Sequence, residues 1–174
     1  MINLNKYTYN YFLFLFSIIP ITIIIGSAAS FMNIFIIDLS FIILLIYQKN
    51  FYFLKNKTIV YLCILYIYLI FNSFISLDYS ESFVRNLGFL RIIILFAAFN
   101  YFFQDERFFK KVFKFWSIVI FIVLIDVFIE SFTGKNVLGF GELYGKRIVS
   151  FFKDEPIVGG FLNGFYLIII GFLL

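Results

Sequence analysis

The sequence predicts an all-α, multi-pass transmembrane helix bundle, and three observations carry that prediction. Hydrophobic residues make up 63% of the 174 positions and charged residues only 14%, with a mean hydropathy of +1.03. A water-soluble fold of this size needs far more polar surface. The apolar residues gather in six runs, each near the ~20 residues that cross roughly 30 Å of hydrocarbon. Most of the charge lies in the short segments between those runs. A backbone in lipid must satisfy its own hydrogen bonds, so each run is read as a helix.

The expected spans are 11–29, 31–47, 58–75, 87–103, 116–132 and 157–174, with one long loop at 133–156. In the first, Lys6, an apolar run and Ser27-Ala28-Ala29 imitate a secretory signal with its small-residue cleavage site. A second apolar run follows at once and leaves no polar chain to export, so the first span is read as retained. Pro20 is expected to kink it, because proline removes one helix hydrogen bond. The connection Gln104–Phe115 reads as a short interfacial helix. Lys110, Lys111 and Lys114 fall on one face and Phe108, Phe109, Val112 and Phe113 on the other, a pattern suited to an anionic membrane surface. The chain stops at Leu174 inside an apolar run without a closing charge, which reads as the first part of a longer protein. No repeat is visible.

Orientation follows from the basic residues of the short connections. With the N-terminus inside, Lys6, Lys49, Lys55, Lys57, Arg107, Lys110, Lys111 and Lys114 share the inner side, eight in all. Arg85, Arg91, Lys135, Lys146, Arg147 and Lys153 take the outer side, six in all. The N-terminus is therefore expected in the cytoplasm, and loop 133–156 outside.

Several chemistries are excluded. There is no His, and the single Cys63 lies in an apolar run, so an intrachain disulfide and a His/Cys zinc site cannot be built. No metal and no cofactor are expected. The aromatics sit in apolar runs rather than among basic patches, which speaks against a nucleic-acid partner. The bilayer is the partner the composition demands.

The stretch from Asp126 to Leu162 holds the residues with chemical potential. Asp126 and Glu130 stand at i and i+4 and so share a helix face. Two carboxylates side by side in apolar surroundings repel, and call for a proton or a cation between them. In the plainer reading Glu130 lies in the headgroup layer and Asp126 caps a neighbouring helix. Lys146 and Arg147 are adjacent in the loop, and an Arg fork matches phosphate oxygens bidentately. The segment Lys153-Asp154-Glu155-Pro156 is suited to capping the next helix, acids and proline both favouring a helix start. The Gly159-Gly160 pair lets another backbone or a lipid chain approach. Arg85, and Arg91 at the outer start of the fourth span, add positive charge on the same side. One of them is expected to pair with Asp126, Glu130 or Asp78, with Asp38 as a further candidate.

These residues resemble a known family. Asp126-x-x-x-Glu130-x-x-x-Gly134-Lys135-Asn136-x-x-Gly139, followed by Arg147-Ile-Val-Ser-Phe-Phe-Lys-Asp154-Glu155-Pro-Ile-Val-Gly159-Gly-Phe-Leu162, is similar to the bacterial O-antigen ligase and O-antigen polymerase family. There the pattern runs roughly D-x-x-x-Q-x-x-x-G-x-N-x-x-G, then R-x-S-G-x-F-x-D-E-x-x-x-G-S-Y-L. Phe89-Leu90-Arg91 also looks like that family's Arg at its fourth span. The resemblance covers about the last half of the chain. Val149 and Ser150 replace the Ser-Gly pair, Glu130 stands for Gln, and Gly160 for Ser.

The resemblance implies a metal-independent, GT-C-like glycosyltransferase of the bacterial inner membrane. Such an enzyme passes an oligosaccharide from undecaprenyl diphosphate to lipid A–core or to another glycan in cell-surface polysaccharide assembly. It assigns Arg147, Arg91 and Lys146 to the lipid diphosphate, whose charge must be stabilised as the sugar–phosphate bond breaks. Asp126, Glu130, Asp154 and Glu155 are expected to be supporting residues. The catalytic residue is unassigned, since the family's His-bearing region lies further along and this chain has no His. The segment alone is expected to bind without turning over. Two other classes fit the composition: a transporter or lipid flippase fragment with charges lining a pathway, and a non-catalytic structural membrane subunit.

Overall fold

A computed structural model describes residues 5–49, 56–140, 147–152 and 157–173. Lys146, Asp154 and Glu155 lie outside the described residues, as does the expected cap at 153–156. The described chain is all-α: α1 (Lys6–Ser17), α2 (Ile19–Ile25), α3 (Ser27–Gln48), α4 (Lys57–Ile75), α5 (Tyr79–Phe102), α6 (Glu106–Thr133), a 3-10 turn at Ser150–Phe152, and α7 (Val158–Leu173). Five stretches are long and apolar enough to cross a membrane: Lys6–Ile25, α3, α4, α5 and α6. The protein is a multi-pass helical membrane protein. α7 has 16 described residues, about 24 Å at ~1.5 Å per residue, and lies within the expected sixth span.

Pro20 acts as anticipated, but the break comes before it. α1 stops at Ser17 and α2 starts at Ile19, with Pro20 in its first turn. Proline has no N–H for the Phe16 carbonyl, and the Trp116 indole N–H donates to that oxygen instead, at 2.9 Å. The next break is Gly26, whose φ of 141° suits glycine. α3 starts directly after it, so residues 27–29 of the expected first span belong to the second spanning helix.

The separate interfacial helix at Gln104–Phe115 does not form; α6 runs unbroken over 28 residues. The physical reason is local, since no Gly or Pro stands between Glu106 and Thr133. Its first turns keep the amphipathic pattern, with Phe108 and Val112 buried and Lys110 exposed in an ion pair with Glu106. Arg91 is also displaced from its expected place. α5 starts at Tyr79, which puts Arg91 thirteenth of 24 residues, mid-helix rather than at the outer start.

The chain divides into two compact units. One comprises the residues up to Leu15 together with Phe31–Lys110. Its core is aromatic: Phe12 meets Phe102 at 4.4 Å between ring centroids, and Phe102 stacks on Phe108 at 5.1 Å. Ala97 and Ala98 are buried beside them on α5 and leave room for large neighbours. α4 pairs with α5, where the Asn86 side chain donates to the Leu69 carbonyl at 2.9 Å and to Ser73 Oγ at 2.7 Å. Such bonds hold helices together where lipid removes the hydrophobic drive. The other unit comprises Phe16–Ser30 and Lys111 onward. There Trp116, Phe161 and Phe165 form an edge-packed cluster, and α2 lies beside the Ser150–Phe152 turn.

Candidate functional site

The site lies in the second unit, where α6 ends. Gly134 takes a left-handed φ of 77°, and its N–H returns to the Glu130 carbonyl at 2.8 Å. This is the usual way a helix closes on glycine. The chain then wraps around Asn136. Its Oδ1 accepts from the amides of Leu138 (3.0 Å) and Phe140 (2.7 Å), and its own amide donates to the Phe140 carbonyl at 2.9 Å. Gly139, with φ of 87°, completes the turn.

The two carboxylates of α6 fasten this loop. Asp126 Oδ1 accepts from the Val137 amide at 2.9 Å, and Oδ2 from the Ser150 hydroxyl at 2.6 Å. Glu130 Oε1 accepts from the Val149 amide at 2.9 Å, and Oε2 from the Ser150 amide at 2.6 Å. All four oxygens are used, and the side chains are 1% and 4% exposed. Each carboxylate faces its own donors. Both side chains bind the loop that follows α6 rather than one another. Carboxylates so occupied are unsuited to general acid or base work; their chemistry is to hold backbone in place.

Ser150 is the centre of the clasp, and sequence reasoning missed it. Its N–H, hydroxyl and carbonyl are all engaged, the last by the Asn136 side-chain amide. It is fully buried and holds a left-handed φ of 50°, rare for a residue with a Cβ. The signal for Asn136 was legible in its Asn-x-x-Gly spacing. Ser150 gave none beyond standing where the resembled pattern has glycine.

Arg147 is exposed three residues before Ser150, and no hydrogen bond or ion pair holds its guanidinium among the described residues. The loop backbone beyond it is pinned by Glu130 at Val149, which is itself buried. An exposed fork of five donors beside a fixed anchor is suited to a phosphate or carboxylate. An open apolar groove of about 330 Å³ lies between α6 and α7 in the same unit, lined by Ile120, Leu124, Leu162, Asn163 and Tyr166. No cluster of metal-ligating side chains occurs among the described residues.

Arg91 belongs to the first unit. Neither it nor Arg85 is in an ion pair among the described residues; the Arg91 guanidinium rests over the Phe31 ring, 4.6 Å from its centroid. Within the first unit, the expected pairing with Asp78 or Asp38 is not formed among the described residues. No protein-family model, curated protein or solved structure matches the chain.

Proposed function

We propose that the chain is the N-terminal part of an O-antigen ligase- or polymerase-like glycosyltransferase, which moves an oligosaccharide from undecaprenyl diphosphate to a lipid A–core or glycan acceptor. The observation that carries the reading is a coincidence of positions. Asp126, Gly134, Asn136 and Gly139 match the resembled pattern, Glu130 stands where it has Gln, and each has a job in the clasp: two carboxylate anchors, two left-handed turns and the turn-organising amide. Ser150, where the resembled pattern has glycine, takes a φ that favours glycine. The clasp ends beside Arg147, the residue the resemblance assigns to the diphosphate. In this reading Arg147 neutralises the leaving diphosphate, Lys146 adds charge, and the groove between α6 and α7 offers an isoprenoid tail an apolar surface.

Arg147→Ala in the full-length gene should abolish the lipopolysaccharide ladder in a complementation assay. A normal ladder at wild-type protein level would remove Arg147 from the site.

One observation favours a second reading, a transporter or flippase fragment. Asp38 and Arg91 both lie midway along helices long enough to cross a membrane, and charge at that depth commonly lines a pathway. A wild-type ladder with Arg147→Ala, together with loss of vectorial transport on mutating Asp38 or Arg91, would decide for it.

A further inference from the structure

Asp38 is the twelfth of the 22 residues of α3, halfway along a spanning helix. The residue is 5% exposed, and neither carboxylate oxygen has a hydrogen-bond partner among the described residues. A carboxylate left charged and bare in such a place is costly by several kcal/mol or more, and the group binds a proton or a cation instead.

The charged group whose field reaches it is Arg91 of α5. That guanidinium is engaged elsewhere, over the ring of Phe31. Phe31 and Asp38 are seven residues apart on α3, so they lie on one face two turns from each other. Arg91 therefore rests against the face of α3 that carries the Phe31 ring and, two turns further on, the Asp38 carboxyl. Of the hydroxyls on adjoining helices, Tyr11 of α1 is bonded to Ser40 at 2.8 Å and Tyr101 of α5 donates to Gln48 at 2.6 Å. Neither serves Asp38.

We propose that Asp38 is a proton-binding site in the membrane interior, its carboxyl protonated while Arg91 rests on Phe31. When the guanidinium turns to the carboxyl, a charge pair replaces the O–H bond and the proton leaves to water; Arg91 keeps its own proton throughout. The return of Arg91 to the ring takes one proton up from water. This inference stands whether or not the chain handles a glycan carrier.

The test is dicyclohexylcarbodiimide, which adds whole to a protonated carboxyl in apolar surroundings to give an N-acylurea. The full chain in its membranes is treated across a pH series, and the Asp38 peptide is read by mass spectrometry. An adduct on Asp38 at mildly acidic pH is expected, falling roughly tenfold for each pH unit past the midpoint, as the protonated fraction does. Arg91→Leu, which removes the competing cation, should carry the adduct to higher pH. Phe31→Leu, which removes the ring contact, should move the fall in adduct to lower pH and leave the most acidic points unchanged. No adduct in membranes, where the detergent-denatured chain takes one at the same pH, would overturn the proposal. So would identical labelling in both variants and wild type, or protection by sodium at constant pH, which would assign the site to a metal cation.

Discussion

Two buried acid sites differ in one respect. At the end of α6, Asp126 and Glu130 have a hydrogen-bond donor on each of four oxygens. In the middle of α3, Asp38 is as well hidden and has none. Burial alone does not fix what an acid does in a membrane helix. A carboxylate that meets backbone amides becomes a fastener, whereas one that meets only apolar neighbours remains open to a proton or a mobile cation.

Breaking the saturated site should have the largest effect. Glu130→Ala removes both acceptors from the Val149 and Ser150 amides, and at about 1.5–3 kcal/mol per bond to a charged group it should cost about 3–6 kcal/mol. Thermal unfolding in detergent measures the loss, and proteolysis of the loop should rise with it. Glu130→Gln should also destabilise, though less, because one of two adjacent amides would then face an NH2. That outcome would separate this clasp from the resembled pattern, where Gln is usual; a neutral Glu130→Gln would mean that one acceptor suffices.

At the bare site the sign reverses. Asp38→Leu should raise the unfolding midpoint, since removing an unsatisfied buried group recovers about 1–3 kcal/mol. A lowered midpoint would mean that Asp38 has a partner after all, and the contrast between the sites would fail. The finest comparison is at Ser150. Ser150→Ala loses the bond to Asp126 and keeps the left-handed strain. Ser150→Gly loses the same bond but relieves that strain, so it should be less destabilising by about 1 kcal/mol. Equal losses would show that the backbone there carries no strain.

Much of the fold was legible because its signals are local. Six apolar runs gave the helices, and the i, i+4 spacing put Asp126 and Glu130 on one face. Two misplacements came from context. The interfacial helix at Gln104–Phe115 was separated from the span by polarity, although nothing in the backbone chemistry breaks α6. Arg91 was taken as the start of a span because apolar residues thicken after Leu87, yet Asp78 caps the helix nine residues earlier by accepting from the Glu81 amide at 3.3 Å. The break at Pro20 was foreseen, but not that Trp116, 100 positions away, would bond the carbonyl that proline leaves open.

Composition and run length were enough to make this a helical, multi-pass membrane protein, because transfer of side chains into hydrocarbon is a sum over neighbouring residues. Which buried acids are spent and which is open came from the packed fold alone. The donors that occupy Asp126 and Glu130 arrive from 11 to 24 residues further along the chain. A hydrogen bond depends on where a loop returns, and no run of residues records that.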